Sequence, residues 1–184
     1  TKSMGFCLFN NAAVGAHHAR MVHGLHRIAV VDFDVHHGNG TQAIFEHEST
    51  LFYASAHQYP LYPGTGHPSE RGIANNILNI GLPPASSSVF FRDAINRIAD
   101  HLLRFRPEFL IISAGFDGHR ADPLAGLDLN EDDFFIATEI LGQLSLEVCD
   151  GRIVSTLEGG YDLDALSASC AAHVRALMDI NQIA

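Results

Sequence analysis

The residues in this chain that can do chemistry stand directly behind apolar runs. Residues 27–31 (RIAVV) lead into Asp32-Phe33-Asp34-Val35-His36-His37-Gly38-Asn39-Gly40. Side chains alternate faces along an extended chain, so Asp32, Asp34 and His36 share one side while Phe33 and Val35 enter the opposite apolar layer. A carboxylate and an imidazole on one face are usable ligands for a divalent metal. The plainer reading of an isolated Asp-x-His is an acidic loop with a solvated histidine. The buried run before it and the glycines after it describe a strand end that opens into a tight loop. A second apolar run, residues 109–113 (FLIIS), is followed by Ala114-Gly115-Phe116-Asp117-Gly118-His119 and then Asp122-Pro123-Leu124-Ala125-Gly126. Asp117 occupies the matching place. Asp34, His36 and Asp117 would leave a coordination position for water, the arrangement of a catalytic rather than a closed structural zinc site. Asp and Gly are also turn formers, which is the competing reading. Behind residues 153–157 (IVSTL) comes Glu158-Gly159-Gly160-Tyr161-Asp162. The two glycines permit a sharp bend and a close approach, and the Tyr161 hydroxyl can donate to a developing oxyanion. A turn with a half-buried ring has the same composition. The aromatic loop at residues 59–66 (YPLYPGTG) either walls a narrow pocket or packs as an ordinary loop.

Elements must hold these residues. Residues 27–31, 51–56, 109–113 and 153–157 read as strands buried on both faces, as in parallel sheets. Helical patterns cover residues 12–23, 89–105, a stretch from Asn130 towards Glu147, and residues 163–178. Ser86 to Ser88 offer N-cap hydroxyls, and Asn130 followed by Glu131, Asp132 and Asp133 is a strong helix start. Strands alternating with helices indicate an α/β fold whose chemistry gathers beyond the carboxyl ends of the strands.

The chain has 184 residues, enough for one domain or a large piece of one; 47% are hydrophobic and 17% charged, which excludes a disordered or collagen-like chain. Acidic residues outnumber basic ones 21 to 11, so the overall basic character of a nucleic-acid binder is absent. Cys7, Cys149 and Cys170 are too scattered for a disulfide scaffold, and a reducing cytoplasm fits them. No leader is read at the start, and no run of 18 apolar residues crosses a membrane. Twelve histidines are unusual. Adjacent helical positions lie about 100° apart, so His17 and His18 cannot address one atom and read as helix-surface residues. His23, His26, His47, His67, His101 and His173 read as solvated. Cys7 reads as a small buried hydrophobe beside Phe6, with a reactive thiol as the alternative.

As an ordered set, these segments resemble the zinc-dependent histone deacetylase family, in particular its class II and bacterial branch of acetylpolyamine amidohydrolases and acetoin-utilisation proteins. The carrying motifs are MGFCLFNN at residues 4–11, VVDFDVHHGNGTQ at 30–42, YPGTG at 62–66, SAGFD at 113–117 and LEGGYDLDAL at 157–166. The resemblance implies an arginase-like α/β fold, a parallel sheet flanked by helices. It implies hydrolysis of acetyl groups from acetyl-lysine or acetylated polyamine-type amines by a zinc-activated water. Carried over residue by residue, the zinc ligands fall on Asp34, His36 and Asp117, and the transition-state tyrosine on Tyr161. The substrate channel falls on Gly5, Phe6, Tyr62 and Leu124. A monovalent cation, usually potassium, falls to the carboxylates of Asp32 and Asp34, backbone oxygens near His36 and Ala56, and the Ser55 hydroxyl. An outer cation would use backbone oxygens around Phe45, Glu48 and Leu51.

The family also carries a tandem His-His a few residues before its Gly-Phe-Cys motif, serving as general base and acid. Asp32 and Asn39 match the residues that orient those imidazoles. In this sequence only Thr1, Lys2, Ser3 and Met4 precede Gly5, and His17-His18 come after the motif. Residues 1–184 are therefore expected to be a partial deacetylase catalytic domain with its N-terminal part missing. Weak activity is expected, with an exposed sheet edge favouring homo-oligomers and no nucleic-acid or membrane partner. Two other classes compete: a non-catalytic metal- and acyl-lysine-binding module, and an arginase-like dinuclear metal hydrolase.

Overall fold

The computed structural model describes residues 3–180. Strands β1 (Ile28–Asp32), β2 (Leu51–Gln58), β3 (Ile77–Leu82), β4 (Phe109–Ala114) and β5 (Ile153–Leu157) form one sheet in the order β3-β2-β1-β4-β5. Every pairing is parallel. Helices α1 (Asn11–His23), α2 (Asn39–Phe45), α3 (Ser88–Phe105), α4 (Glu131–Cys149) and α5 (Leu163–Ile180) are the helices among the described residues. Parallel neighbours need crossovers, and helices supply them on both faces.

The alternation of β1 divides its side chains between two cores. Ala29 and Val31 join Leu110 and Ile112 in a layer with Phe91, Ile95, Ile98 and Leu102 of α3 and with Phe134 and Leu141 of α4. Ile28, Val30 and Ile111 face the other way, against Phe45 and the alanine stripe Ala12, Ala13, Ala16 and Ala19 of α1. The alanines let that helix lie close to the sheet. α4 starts as expected, with Asn130 Oδ1 accepting from Asp132 N–H at 2.9 Å and Asp133 Oδ2 accepting from Asn130 N–H at 3.0 Å. Asp133 also binds Ser88 Oγ at 2.8 Å and Arg92 at 3.1 Å, which ties α3 to α4.

From β1 the chain builds outward through β2 and β3, then returns to place β4 on the other flank of β1. The β1/β4 boundary is therefore the topological switch point, where loops diverge and leave a crevice beyond the carboxyl ends.

Several expectations are corrected. β5 is an edge strand rather than one buried on both faces: Val154 is 46% and Leu157 56% exposed. Ser86 to Ser88 do not cap α3 with their hydroxyls. Ser87 takes the N-cap place without a side-chain bond, Ser86 Oγ donates to the Pro83 carbonyl, and Ser88 reaches Asp133. α2 and β3 were not anticipated. Among the described residues no helix is long and apolar enough to cross a membrane.

Candidate metal centre

β1 stops at Asp32, so Asp34 and His36 sit on the loop just beyond it rather than on the strand. The alternation nevertheless outlives the ladder. Phe33 and Val35 are buried in the α3/α4 layer, and the polar residues between them turn to the crevice. Asp117 lies in the loop after β4, paired with β1 in the register Asp32↔Ser113. Asp34, His36 and Asp117 each offer one ligand atom, and these atoms lie within 4.8 Å of one another. His36 Nδ1 is 3.2 Å from Asp34 Oδ1 and 3.0 Å from Asp117 Oδ2.

The remaining oxygens of the triad are held by backbone. Asp117 Oδ1 accepts from Val35 N–H at 2.9 Å, and Asp34 Oδ2 accepts from Gly159 N–H at 2.8 Å. A Cβ at Gly159 would collide with the carboxylates of both Asp117 and Asp34. Glycine is required there by close approach, and the turn after β5 is thereby docked on the triad.

Charge at the centre is one-sided. Burial opposes a charged His36, yet the carboxylates of Asp117 and Asp34 outweigh it and push the imidazole up to about 10. Burial, and then the charge of Asp34, raise Asp117 to about 6 against the pull of its His36 hydrogen bond. Burial and Asp34 also raise Asp32 well above the carboxylate range, although Tyr53 O–H donates to its Oδ2 at 2.9 Å. One imidazole and two carboxylates with surplus negative charge fit a zinc ion as a mixed N/O donor set. Asp32 and Ser55 are register partners on β1 and β2, both buried, beside buried Ala56. A desolvated carboxylate next to a hydroxyl fits a monovalent cation.

The outer cation set does not fit. The carbonyls of Phe45, Glu48 and Leu51 do converge, but all three accept from Asn76 Nδ2, at 2.8, 3.1 and 2.9 Å. The amide nitrogen stands where a cation would stand. The opposite amide orientation would set its oxygen against three acceptors.

A cleft of about 1270 Å³ opens over the triad and is lined by Gly5, Phe6, Tyr62, Leu124, Asn39 and Tyr161, with Asp34 and His36 on its wall. The four residues expected to form a substrate channel thus line one cleft. Gly5 N–H donates to the Tyr62 hydroxyl at 3.3 Å, the Phe6 ring meets Tyr161 edge-on at 6.1 Å, and Tyr62 meets His36 edge-on at 6.2 Å. Burial, followed by the charges of Asp117 and Asp34, pushes the Tyr161 hydroxyl up to about 12, so it keeps its proton. Asn39, at the start of α2, donates to Met4 Sδ at 3.6 Å and does not reach the triad.

Behind the centre lies a network that sequence reasoning missed. His37 Nε2 donates to Gln42 Oε1 at 2.8 Å and its Nδ1 accepts from Thr65 at 2.7 Å. Gln42 also accepts from Asn79 at 2.8 Å and donates to Glu70 at 2.6 Å. The His57 ring lies against that of His37, tilted by 49° with centroids 4.9 Å apart, and bridges Ser55 Oγ (2.9 Å) to the Gly66 carbonyl (3.2 Å). Together they pin the loop that carries Tyr62. The only warning in the sequence was polar residues inside otherwise apolar runs. His17 and His18 are exposed on α1, and His23, His26, His47 and His67 are exposed as well. His173 is not solvated: it is 5% exposed, between Thr138 Oγ1 at 2.6 Å and Ser155 Oγ at 2.8 Å. Cys7 is exposed rather than buried, because the segment around Phe6 runs along the rim of the cleft.

The model of the histone deacetylase domain matches residues 1–177. Over 98% of its length the chain is 42% identical to histone deacetylase 14 (chloroplastic) of Arabidopsis thaliana, covering 44% of that protein. It is 42% identical over 96% of its length to a probable deacetylase of Methanothermobacter thermautotrophicus, covering 54% of it. The crystal structure of an acetylpolyamine aminohydrolase from Burkholderia pseudomallei superposes with a TM-score of 0.87 at 34% identity, over 94% of this chain and 50% of that one. The chain spans about half the length of these relatives.

Proposed function

The chain belongs to the histone deacetylase family, and on that premise we propose that residues 1–184 are part of a catalytic domain that hydrolyses acetyl groups from acetyl-lysine or acetylated polyamine-type amines. The observation that carries the reading is the convergence of Asp34, His36 and Asp117 at the base of a cleft whose side is formed by Tyr161. Zinc, when bound, supplies Lewis acidity towards the acetyl oxygen and acidifies a water molecule.

The residues divide the remaining work. Asp34 and Asp117 would hold the metal with carboxylates whose other oxygens are oriented by the Gly159 and Val35 N–H groups, and His36 would do so through Nδ1 after losing the proton it holds between them. Tyr161, still protonated, donates to the acyl oxygen as it becomes anionic. Phe6 and Tyr62 face an aliphatic chain entering the cleft, and Leu124 closes its wall. Asp32 and Ser55 would hold a monovalent cation, potassium by preference, whose charge would offset part of the negative charge of the site.

Among the described residues no imidazole beside the triad is free to act as a general base: His36 is a ligand and both nitrogens of His37 are engaged. General acid–base catalysis contributes about 10²–10⁴-fold, so the 184-residue chain assayed by itself turns over slowly. The same observation favours a second reading, a metal- and acyl-lysine-binding module without catalysis. Zinc-loaded protein on a fluorogenic acetyl-lysine substrate, beside Tyr161→Phe, decides between them. Slow zinc-dependent turnover that drops about 10²–10³-fold in the variant supports the amidohydrolase. Zinc and peptide binding without turnover supports the module. Two zinc ions per chain would overturn both in favour of a dinuclear hydrolase.

The three unpaired cysteines support a reducing compartment such as the cytoplasm. The excess of acidic residues argues against nucleic acid as a partner. Exposed Val154 and Leu157 on the edge strand β5 support self-association, which light scattering at rising concentration tests.

A further inference from the structure

The backbone leaving β5 is pinned at two points. Gly159 N–H donates to Asp34, and two residues on Tyr161 N–H donates to Asp122 Oδ2 at 2.8 Å. Asp122 has no part in the metal site or the acyl step described above. It is 7% exposed, and its other oxygen, Oδ1, accepts from Leu124 N–H at 2.9 Å. Its own N–H donates to the His119 carbonyl at 2.8 Å, so the carboxylate is presented from a fixed turn.

Leu124 and Tyr161 come from different loops and both line the cleft. Two backbone donors that converge on one side chain need two acceptor atoms. A carboxylate provides them. An amide has one acceptor and one donor group, so asparagine would turn its NH₂ on one of the two N–H groups. Both hydrogen bonds are part-buried, so an N–H that lost its acceptor would be under-satisfied, and the loop would shift to pair it again. Between the two pins lies Gly160 with φ 145°, a conformation suited to glycine, which has no side chain of its own to anchor the segment. Without the second pin, Tyr161 hangs one glycine away from the first.

We propose that Asp122 is a positioning residue: by joining the Leu124 wall to the Tyr161 backbone, it sets where the Tyr161 phenol stands relative to Asp34 and Asp117. The inference rests on the amidohydrolase reading only in giving the Tyr161 hydroxyl its task.

Fluorotyrosine labelling tests it without requiring turnover. The four tyrosines give four fluorine signals, and that of Tyr161 is the one lost in Tyr161→Phe. Zinc should shift this signal in the wild type, because charge appears beside the ring. In Asp122→Asn the Tyr161 signal should broaden or split and lose most of its zinc-induced shift, and the Tyr161 and Leu124 amide protons should move upfield. Zinc affinity and the signal of core-buried Tyr53 should stay as they are. Asp122→Ser, with a single acceptor on a shorter side chain, carries the same expectation should the first variant fold poorly. An unchanged zinc response in a folded variant overturns the inference alone. Broadening of all four signals also overturns it, because that is loss of stability rather than of position. No zinc response in the wild type overturns the metal reading and the inference with it.

Discussion

Two imidazoles in this molecule, one half-buried and one buried, are driven to opposite charge states. At the β1/β4 switch point, His36 lies against two carboxylates, which overcome its burial and push it up to about 10. In the opposite layer, His173 of α5 lies between the hydroxyls of Thr138 and Ser155, with Phe33 and Phe116 edge-on at 6.1 and 5.6 Å. Burial alone pushes it down to about 4. Thr138 donates its own proton to the Phe134 carbonyl, so it accepts from His173 Nδ1–H, and Ser155 donates to Nε2. His173 is a neutral clamp joining α4, α5 and β5. The difference lies in the partners. Hydroxyls satisfy an imidazole without adding charge, so the cluster is complete as it stands. Carboxylates leave a surplus that a proton neutralises only in part, which is the electrostatic ground for proposing His36 as part of a cation site.

The comparison breaks most plainly on substitution. His36→Ala removes the only nitrogen donor and should weaken zinc binding by at least about 100-fold, while His173→Asn should leave it unchanged. Metal titration of both variants checks this, and equal losses would mean that the two imidazoles do not differ as described.

Acid should act on the second site. The folded value of His173, about 4, lies below the ordinary 6.5. Its contribution to stability is therefore fully present above pH 6.5 and is lost as pH falls towards 4. Between pH 7 and pH 5 the loss should be about 2 kcal/mol. Denaturant unfolding at both pH values should show a drop smaller by that amount in His173→Asn. His57, also held at about 4, titrates with the same sign and remains in both proteins.

Base should act on the first site. Zinc must displace the proton that His36 keeps up to about pH 10, so affinity should rise about tenfold per pH unit between pH 7 and 8. Below about pH 6 the dependence should steepen, because Asp117 also holds a proton there. Competition titrations across this range check the slope, and a flat profile would remove the proton from His36.

Much of the fold could be read from local pattern. The four anticipated strands and four anticipated helices all form, because runs such as residues 109–113 and the periodic Phe91, Ile95, Ile98 and Leu102 bury against partners without help from unusual residues. β3 escaped notice because Asn79 and Gly81 interrupt it. Asn79 is tolerated in a strand only because Gln42, distant in sequence, accepts its amide. α2 escaped because it is seven residues long, too short to show a period, and begins Asn-Gly inside a glycine-rich loop. His173 looked like a surface histidine among alanines, and nothing within α5 reveals that Phe33 and Phe116 close over it.

What the sequence by itself determined are the side chains that must lie together on one strand or one turn. Asp32, Asp34 and His36 are such a set, because a chain extending from a buried run has little freedom over which side each residue faces. The acidic start of α4 and the bend at Gly159-Gly160 are others, since capping and φ preference act over a few residues. Only the tertiary structure decided which loops share the switch point. It brought Asp117 within 3.0 Å of His36, turned Asn76 into the plug of three converging carbonyls, and gave Asp122 two backbone partners. Those contacts depend on the order of strands in the sheet, and that order comes from the burial of both faces of the sheet at once, which no short window of residues contains.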